Sequence, residues 1–208
     1  MFTRENDFGY SKDPEETQAI WDREKVLSDM VRVMRAFQPD IVINRFDAGS
    51  AGRTHGHHTS SAILSLEAFD LAGEPNYKVS NTQPWKAKRI FFNTSWWFYG
   101  SEENFEKADK SKMLKINMGT YFPELGLSNN EIAATSRSMH KSQGFGSTGS
   151  RGDEAEYLEL LKGEMPQNKE NIFEGIDTSW NRIQGGKAIG ALLQDVEKSY
   201  NFKNPSAS

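Results

Sequence analysis

The sequence predicts an α/β fold with a mostly parallel sheet. The run Ile41-Val42-Ile43 is apolar without alternation, which is typical of a strand covered on both faces. This run lies between two segments, residues 14–37 and 59–72, in which apolar residues recur at helical spacing. The length of 208 residues is enough to bury a sizeable core. Helix, strand, loop and helix in this order indicate a layered α/β domain.

The first predicted helix spans residues 14–37 and has clear boundary signals. Asp13 can cap it, Pro14 suits the first helical position, and Glu16 stands three residues after the cap. The helix is expected to end before Pro39, because the residue that precedes a proline disfavours helical geometry. A strand at 41–46 then follows.

The remainder of the chain predicts shorter elements by the same rules. We expect strands at 89–93 and 113–117, a helix opened by the capping box Ser128-Asn129-Asn130-Glu131, a glycine-rich loop at 144–152, and helices at 155–161 and 188–200. Residues 1–143 are expected to form a three-layer, Rossmann-like domain, and residues 144–208 a glycine-rich loop and helical C-terminal extension of it.

Composition and charge exclude several classes of binding partner and of chemistry. Lys and Arg total 25 and Asp and Glu total 29, so the net charge of −4 argues against nucleic-acid binding. No stretch approaches the roughly 18 apolar residues of a membrane span. Residues 1–7 lack the basic and apolar regions of a secretory signal. The sequence does not predict the cellular compartment. The absence of cysteine excludes disulfides, thiolate ligands and cysteine nucleophiles.

Three of the four histidines lie together in His55-Gly56-His57-His58. They follow a predicted strand and precede a predicted helix, and ligands bind at this edge of open α/β sheets. Imidazoles placed there could coordinate zinc, and His55 and His58 would share one face of a helix. The alternative is a solvated polar loop, because His-x-x-His without an intervening glutamate is a weak motif.

Other features allow more than one interpretation. His140 ends the helix that starts near residue 129, where it can interact with the last carbonyls and the helix dipole. The run Trp96-Trp97-Phe98-Tyr99 can stack on sugar rings or belong to the core. The loop at 144–149 follows no strand and lacks the Gly-Lys-Ser/Thr ending of a phosphate-binding loop.

Two segments resemble motifs of one enzyme family. The stretch 37–72, with Pro39-Asp40, a strand and then Thr-His-Gly-His-His, resembles the second conserved motif of the LmbE-like deacetylases. These are also called the GlcNAc-phosphatidylinositol de-N-acetylase (PIG-L) family. The segment 136–143, which ends in His-Lys-Ser-Gln, resembles a second feature of the same family.

The resemblance implies zinc-dependent hydrolysis of an N-acetyl group on an amino sugar or its conjugate. His58 would be a zinc (Zn²⁺) ligand, and His55 would stabilise the oxyanion of the tetrahedral intermediate. His140, Ser142 and Gln143 would line or brace the substrate pocket. His57 stands where the family usually has Asp.

The family's first motif, His-Pro-Asp-Asp-Glu, supplies two zinc ligands and the catalytic base, and the sequence does not contain it. Asp7 and Asp47 are the nearest carboxylates, but their spacing does not favour them. We therefore expect an N-terminally incomplete or degenerate member, with weak zinc binding, no deacetylase activity and self-association through an open sheet edge. The alternative function is a non-catalytic carbohydrate-binding module that has lost the metal site.

Overall fold

The structure, a computed structural model, describes residues 3–79, 81–144, 146–201 and 203–207. In chain order its helices and strands are α1 (Pro14–Ile20), α2 (Arg23–Phe37), β1 (Ile41–Asn44), α3 (Gly56–Gly73), β2 (Arg89–Thr94), α4 (Trp96–Tyr99), α5 (Glu102–Lys107), β3 (Met113–Asn117), β4 (Tyr121–Phe122), β5 (Leu127–Ser128), α6 (Asn129–Met139), β6 (Ala155–Gly163) and α7 (Gly186–Ser199). Nowhere in the described ranges is a helix both long and apolar enough to cross a membrane.

The chain divides into two units. The first combines Met1–Ile116 with Glu156–Met165, and the second combines Asn117–Ala155 with Pro166–Ser208. The first unit contains the four-stranded sheet and helices α1 to α5. The second contains the β4–β5 hairpin, α6 and α7.

The helix predicted over 14–37 is in fact two helices. α1 begins at the Asp13 cap as predicted, but the backbone becomes extended at Trp21. The side chain of Asp22 then accepts a hydrogen bond of 3.0 Å from the backbone N–H of Lys25 and caps α2. An Asp that satisfies a free N–H of a new first turn stabilises this second start, although the apolar spacing continues across the break.

The sheet of the first unit has the strand order β1-β2-β6-β3 and is mixed. β1 and β2 run parallel, with Val42 opposite Ile90, and α3 lies between them in the chain. β6 pairs antiparallel with the other side of β2. The α/β class is confirmed, whereas the sheet is mixed rather than mostly parallel. The predicted strand at 41–46 is shorter and ends at residue 44.

The helix predicted at 155–161 is wrong, because these residues belong to β6. Ala, Glu and Leu favour a helix when local propensity alone decides. Here β6 lies between β2 and β3, and Leu158, opposite Asn93, is buried. Pairing on both sides overrides the local preference. The helix expected at 188–200 is confirmed, as α7.

Helix α3 packs against α2 on one side. Its Leu64, Ala68 and Ala72 are buried against the apolar side of α2, where Leu27 and Val31 are almost fully buried as well. Small alanines on α3 let the two helix backbones approach closely. Helix α2 therefore packs on α3 rather than forming the far side of a layer around β1.

Helix α3 packs against the sheet on another side. Leu66 and Phe69 meet Val42 of β1, Ile90 of β2 and Leu161 of β6. A helix that is covered on two sides needs apolar residues around most of its circumference, which is the pattern of residues 62–72. α3 is thus the central layer of the first unit.

The beginning of α3 lies directly against α1 at Gly56. The Gly56 N–H donates to the Ser11 carbonyl at 3.1 Å. A Cβ on Gly56 would lie 2.0 Å from the Asp13 carbonyl oxygen and 2.4 Å from the Thr17 hydroxyl. The hydroxyl of Ser60 donates to the carbonyl of Pro14 at 3.2 Å. The glycine between the histidines is therefore required by packing.

In the second unit, the predicted capping box is confirmed. The Ser128 hydroxyl accepts from the Glu131 N–H at 3.2 Å, and the Glu131 carboxylate accepts from the Ser128 N–H at 2.9 Å. The glycine-rich segment that follows lies close to α6, since a Cβ on Gly149 would be 2.8 Å from the Cα of Glu131.

Replacing Gly56 by Ala should lower the free energy of unfolding by roughly 1–3 kcal/mol or more, because the added methyl overlaps backbone atoms that cannot rotate away. Urea unfolding at neutral pH measures the change. Gly9→Ala is the matched control, since a Cβ at Gly9 meets nothing within 4 Å. Equal denaturation midpoints for the two variants would contradict the close contact.

Candidate functional site

His55 and His58 lie where β1 is followed by α3. His55 is the extended residue immediately before α3, and His58 lies in its first turn. The ring of His58 stacks on Phe46, two residues beyond the end of β1, with centroids 3.9 Å apart and planes at 10°. Both histidines are therefore at the carboxyl edge of β1, the edge that the sequence predicts.

The two imidazoles are stacked on each other. Their centroids are 5.2 Å apart and their planes differ by 5°. The ring of Tyr10 meets His55 edge-on at 4.7 Å. His55 is exposed and His58 is half-buried, so the row Tyr10, His55, His58, Phe46 runs from solvent toward the sheet edge. The spacing of three residues at the start of a helix brings the two histidines together.

His57 points to a different environment. Its ring lies 4.3 Å from that of Phe8 and 5.1 Å from that of Trp21, and its Nδ1 is 3.1 Å from the Ser11 hydroxyl. Its buried Nε2 has no hydrogen-bond partner within the part of the chain that is described. His57 thus helps to pack α3 onto the N-terminal segment and is not part of the stacked pair.

The protonation of His58 is shifted by its surroundings. Burial lowers the pKa of His58 below its ordinary value, and the neighbouring imidazoles of His55 and His57 lower the pKa further. The ring is therefore neutral at pH 7, with a lone pair free on one nitrogen. A neutral imidazole is the form that binds a metal ion or accepts a hydrogen bond.

An open cleft of about 390 Å³ lies beside the histidines. It is lined by Asp7, Phe8, Gly9, Tyr10, His55, His57 and His58. The segment 7–10 thus forms the wall that faces the histidine loop. Asp7 places a carboxylate in the wall of this cleft. The long separation of Asp7 from His55 in the sequence did not predict that the two residues would line one cleft.

The N-terminal wall of the cleft is anchored to α2. Arg4 donates to the Asp29 carboxylate from its backbone N–H at 2.8 Å and from its Nε at 2.9 Å. Nearby, Lys25 pairs with Glu5. Burial alone would raise the pKa of Asp29, but the hydrogen bonds from Arg4, aided by the charge of Arg32, lower it below its ordinary value. The ionised carboxylate of Asp29 therefore fixes the position of the wall.

The other carboxylate considered from the sequence, Asp47, interacts elsewhere. It lies in the loop after β1, and its charge adds to burial in raising the pKa of Glu159. Glu159 is on β6, opposite Phe92 of β2. Asp47 thus acts electrostatically on Glu159, and it is not among the residues that line the histidine cleft.

The histidine loop does not complete a metal centre by itself. Within the described ranges, no three His, Asp or Glu side chains come together in a way that could hold a metal ion. Catalytic zinc is usually held by three protein ligands. The residues described here therefore do not fit a complete zinc site, although His58 has the protonation state of a ligand.

The remaining predicted site residues belong to the second unit. His140 follows α6, and Ser142 and Gln143 lie in a 3₁₀ turn at Lys141–Gln143. All three are exposed, and the Gln143 carbonyl accepts from the Arg137 guanidinium at 2.9 Å. Their role beside a substrate stays a prediction.

In the aromatic run of α4, one residue packs as part of the core and two are exposed enough to stack on a ligand. Phe98 packs edge-on against Phe92 of β2 at 4.7 Å and near Phe46 at 6.4 Å, as a core residue does. Trp96 and Trp97 are 48% and 46% exposed. Exposed tryptophans are unusual enough to suggest a binding surface, since each leaves a large apolar ring in water.

Comparisons with protein families, with curated proteins and with solved structures found no match for this chain.

Asp29→Asn should lower the free energy of unfolding by about 1–3 kcal/mol at neutral pH, because Arg4 loses a charged acceptor in a buried position. The pKa of Asp29 is lowered in the folded protein, so its carboxylate stabilises the fold above the pKa of the unfolded chain. This stabilisation is lost as the pH falls through the folded-state pKa. Urea unfolding of both proteins across a pH series measures the difference.

The matched control is Asp195→Asn, since the ion pair of Asp195 with Lys198 is exposed and should contribute little at any pH. A difference between Asp29→Asn and the unaltered chain that is the same at neutral and strongly acidic pH would contradict the role of the Asp29 charge.

Proposed function

We propose that this chain contributes to the active site of a zinc-dependent hydrolase that removes the N-acetyl group from an amino sugar or its conjugate. The observation that carries the proposal is the stacked pair His55 and His58 beside an open cleft at the carboxyl edge of β1. The resemblance to the LmbE-like deacetylases supports the choice of reaction.

The two histidines suit different roles. His58 is half-buried and neutral, so it can serve as a metal ligand. His55 is exposed at the mouth of the cleft, where its N–H could donate to an oxygen that gains negative charge during acyl transfer. Two further zinc ligands would have to come from outside the described residues.

The opposite wall of the cleft suits the sugar. The ring of Tyr10 is 65% exposed and offers an apolar surface to the C–H face of a pyranose. Asp7 lines the same cleft and forms no ion pair with a described residue. Deacetylation converts an amide into an amine that is protonated at neutral pH, and the Asp7 carboxylate would attract that cation.

A second candidate is a carbohydrate-binding module without catalysis. The exposed Trp96 and Trp97 favour it, and so does the incomplete set of metal ligands. Sugar binding that persists unchanged in EDTA, without hydrolysis in zinc, would favour this function over the first.

We extend this proposal to the fold and association of the first unit. A Rossmann-like domain is supported by the β1–α3–β2 unit, in which two parallel strands are joined through a helix. Its three layers are α2, α3 and the sheet, with α3 rather than the sheet in the middle. Self-association through an open edge is supported by β1, an edge strand of the described sheet, whose Ile43 is 50% exposed.

In a preparation with its zinc centre complete, His58→Ala should lose the metal, since two protein ligands retain zinc poorly. His55→Ala should keep the metal and reduce turnover of an N-acetylglucosaminyl substrate on the order of 10²–10³-fold, the usual cost of one oxyanion donor. Metal content and rate are measured on the same samples.

His140→Ala is the control for metal content, because it removes an exposed imidazole from the second unit. It should retain zinc fully. Equal metal loss in His55→Ala and His58→Ala would show that the two roles are assigned wrongly.

A further inference from the structure

A groove of about 500 Å³ lies in the second unit, between a 3₁₀ turn at Trp180–Arg182 and helix α7. The indole of Trp180 forms part of its wall and is 45% exposed. The volume falls within the range of small-ligand sites. None of its lining residues belongs to the histidine cleft.

Two glycines of α7 determine how Trp180 is placed. A Cβ on Gly186 would lie 1.9 Å from the Trp180 carbonyl oxygen, and a Cβ on Gly190 would lie 3.0 Å from the Trp180 Cβ. Glycines four residues apart share one face of a helix. They let Trp180 lie directly on the α7 backbone, which restricts the position of its ring.

The polar side chains around the groove are available to bind a ligand. Asn181, Lys187, Gln194 and Glu197 line it, and all four are exposed. None of these side chains makes a hydrogen bond or ion pair with any residue in the described ranges. They provide amide donors and acceptors, an ammonium group and a carboxylate around a single large aromatic ring.

We propose that this groove binds a pyranose sugar, with one face of the sugar against Trp180 and its hydroxyl groups hydrogen-bonded to Asn181, Gln194 and Glu197. A pyranose has an apolar face of C–H groups and a rim of hydroxyls that both donate and accept. The groove offers the matching surfaces, an aromatic face and planar polar groups. This binding site does not depend on the proposed hydrolysis.

The experiment uses the whole chain, in EDTA, with cellobiose and N,N′-diacetylchitobiose as probes. Saturation-transfer NMR detects contact with the sugar, and a fluorescence titration gives the affinity. We expect millimolar or tighter binding of at least one probe. Trp180→Ala should weaken it about tenfold or more, whereas Trp180→Phe should retain most of it. Phe37→Ala, which removes an exposed aromatic ring from the first unit, is the control.

Two further variants keep the test independent of the Trp180 substitution. Gln194→Ala should weaken binding roughly three- to tenfold, because one hydrogen bond is lost from an exposed helix position. Gly190→Ala should weaken it by displacing Trp180, without removing a polar group. No binding of either disaccharide, or binding that Trp180→Ala and Gln194→Ala leave unchanged, would overturn the proposal.

Discussion

The burial of helix α3 on two sides, with its first turn pressed against α1, is the constraint on which the first unit depends. α2 covers one side of α3 and the sheet covers another. At its start, Gly56 leaves no room for a side chain. At its end, the guanidinium of Arg35 donates to the carbonyls of Ala72 and Tyr77, both at 2.9 Å. With both ends fixed, the histidines of the first turn have little freedom, and the stacking of His58 on Phe46 follows from the position of the helix.

The same constraint explains how an N-terminal segment far away in sequence comes to face the histidines. Ser11 accepts from the Gly56 N–H through its carbonyl and contacts His57 through its hydroxyl. Arg4 is bound to Asp29 of α2. Between these two anchors, residues 7–10 must pass beside His55. The site thus combines a stacked histidine pair with a wall that includes Asp7, Phe8 and Tyr10, and the described residues do not provide a complete set of metal ligands.

Local signals in the sequence predicted what local forces decide. The caps at Asp13 and Ser128, the strand β1 and the helix α7 are short-range features, and each is confirmed. The expectation that β1 is covered on both faces is wrong, since its Ile43 is 50% exposed. Residues 155–163 could not be predicted in this way, because their strand conformation comes from pairing with β2 and β3. The pairing of His55 with His58 follows from helical spacing. The approach of Tyr10 could not be foreseen, since it depends on a contact across 45 residues that only the packing of α1 on α3 creates.

The most direct test of the histidine site is to follow the four imidazoles by long-range ¹H–¹⁵N NMR while Zn²⁺ is added to the chain. The account predicts that the ring nitrogens of His58 respond first and most strongly. His55 should respond as its stacked neighbour, and His57 and His140 should change little. An equal response at His140, or a spectrum in which His58 does not respond while another histidine does, would contradict it.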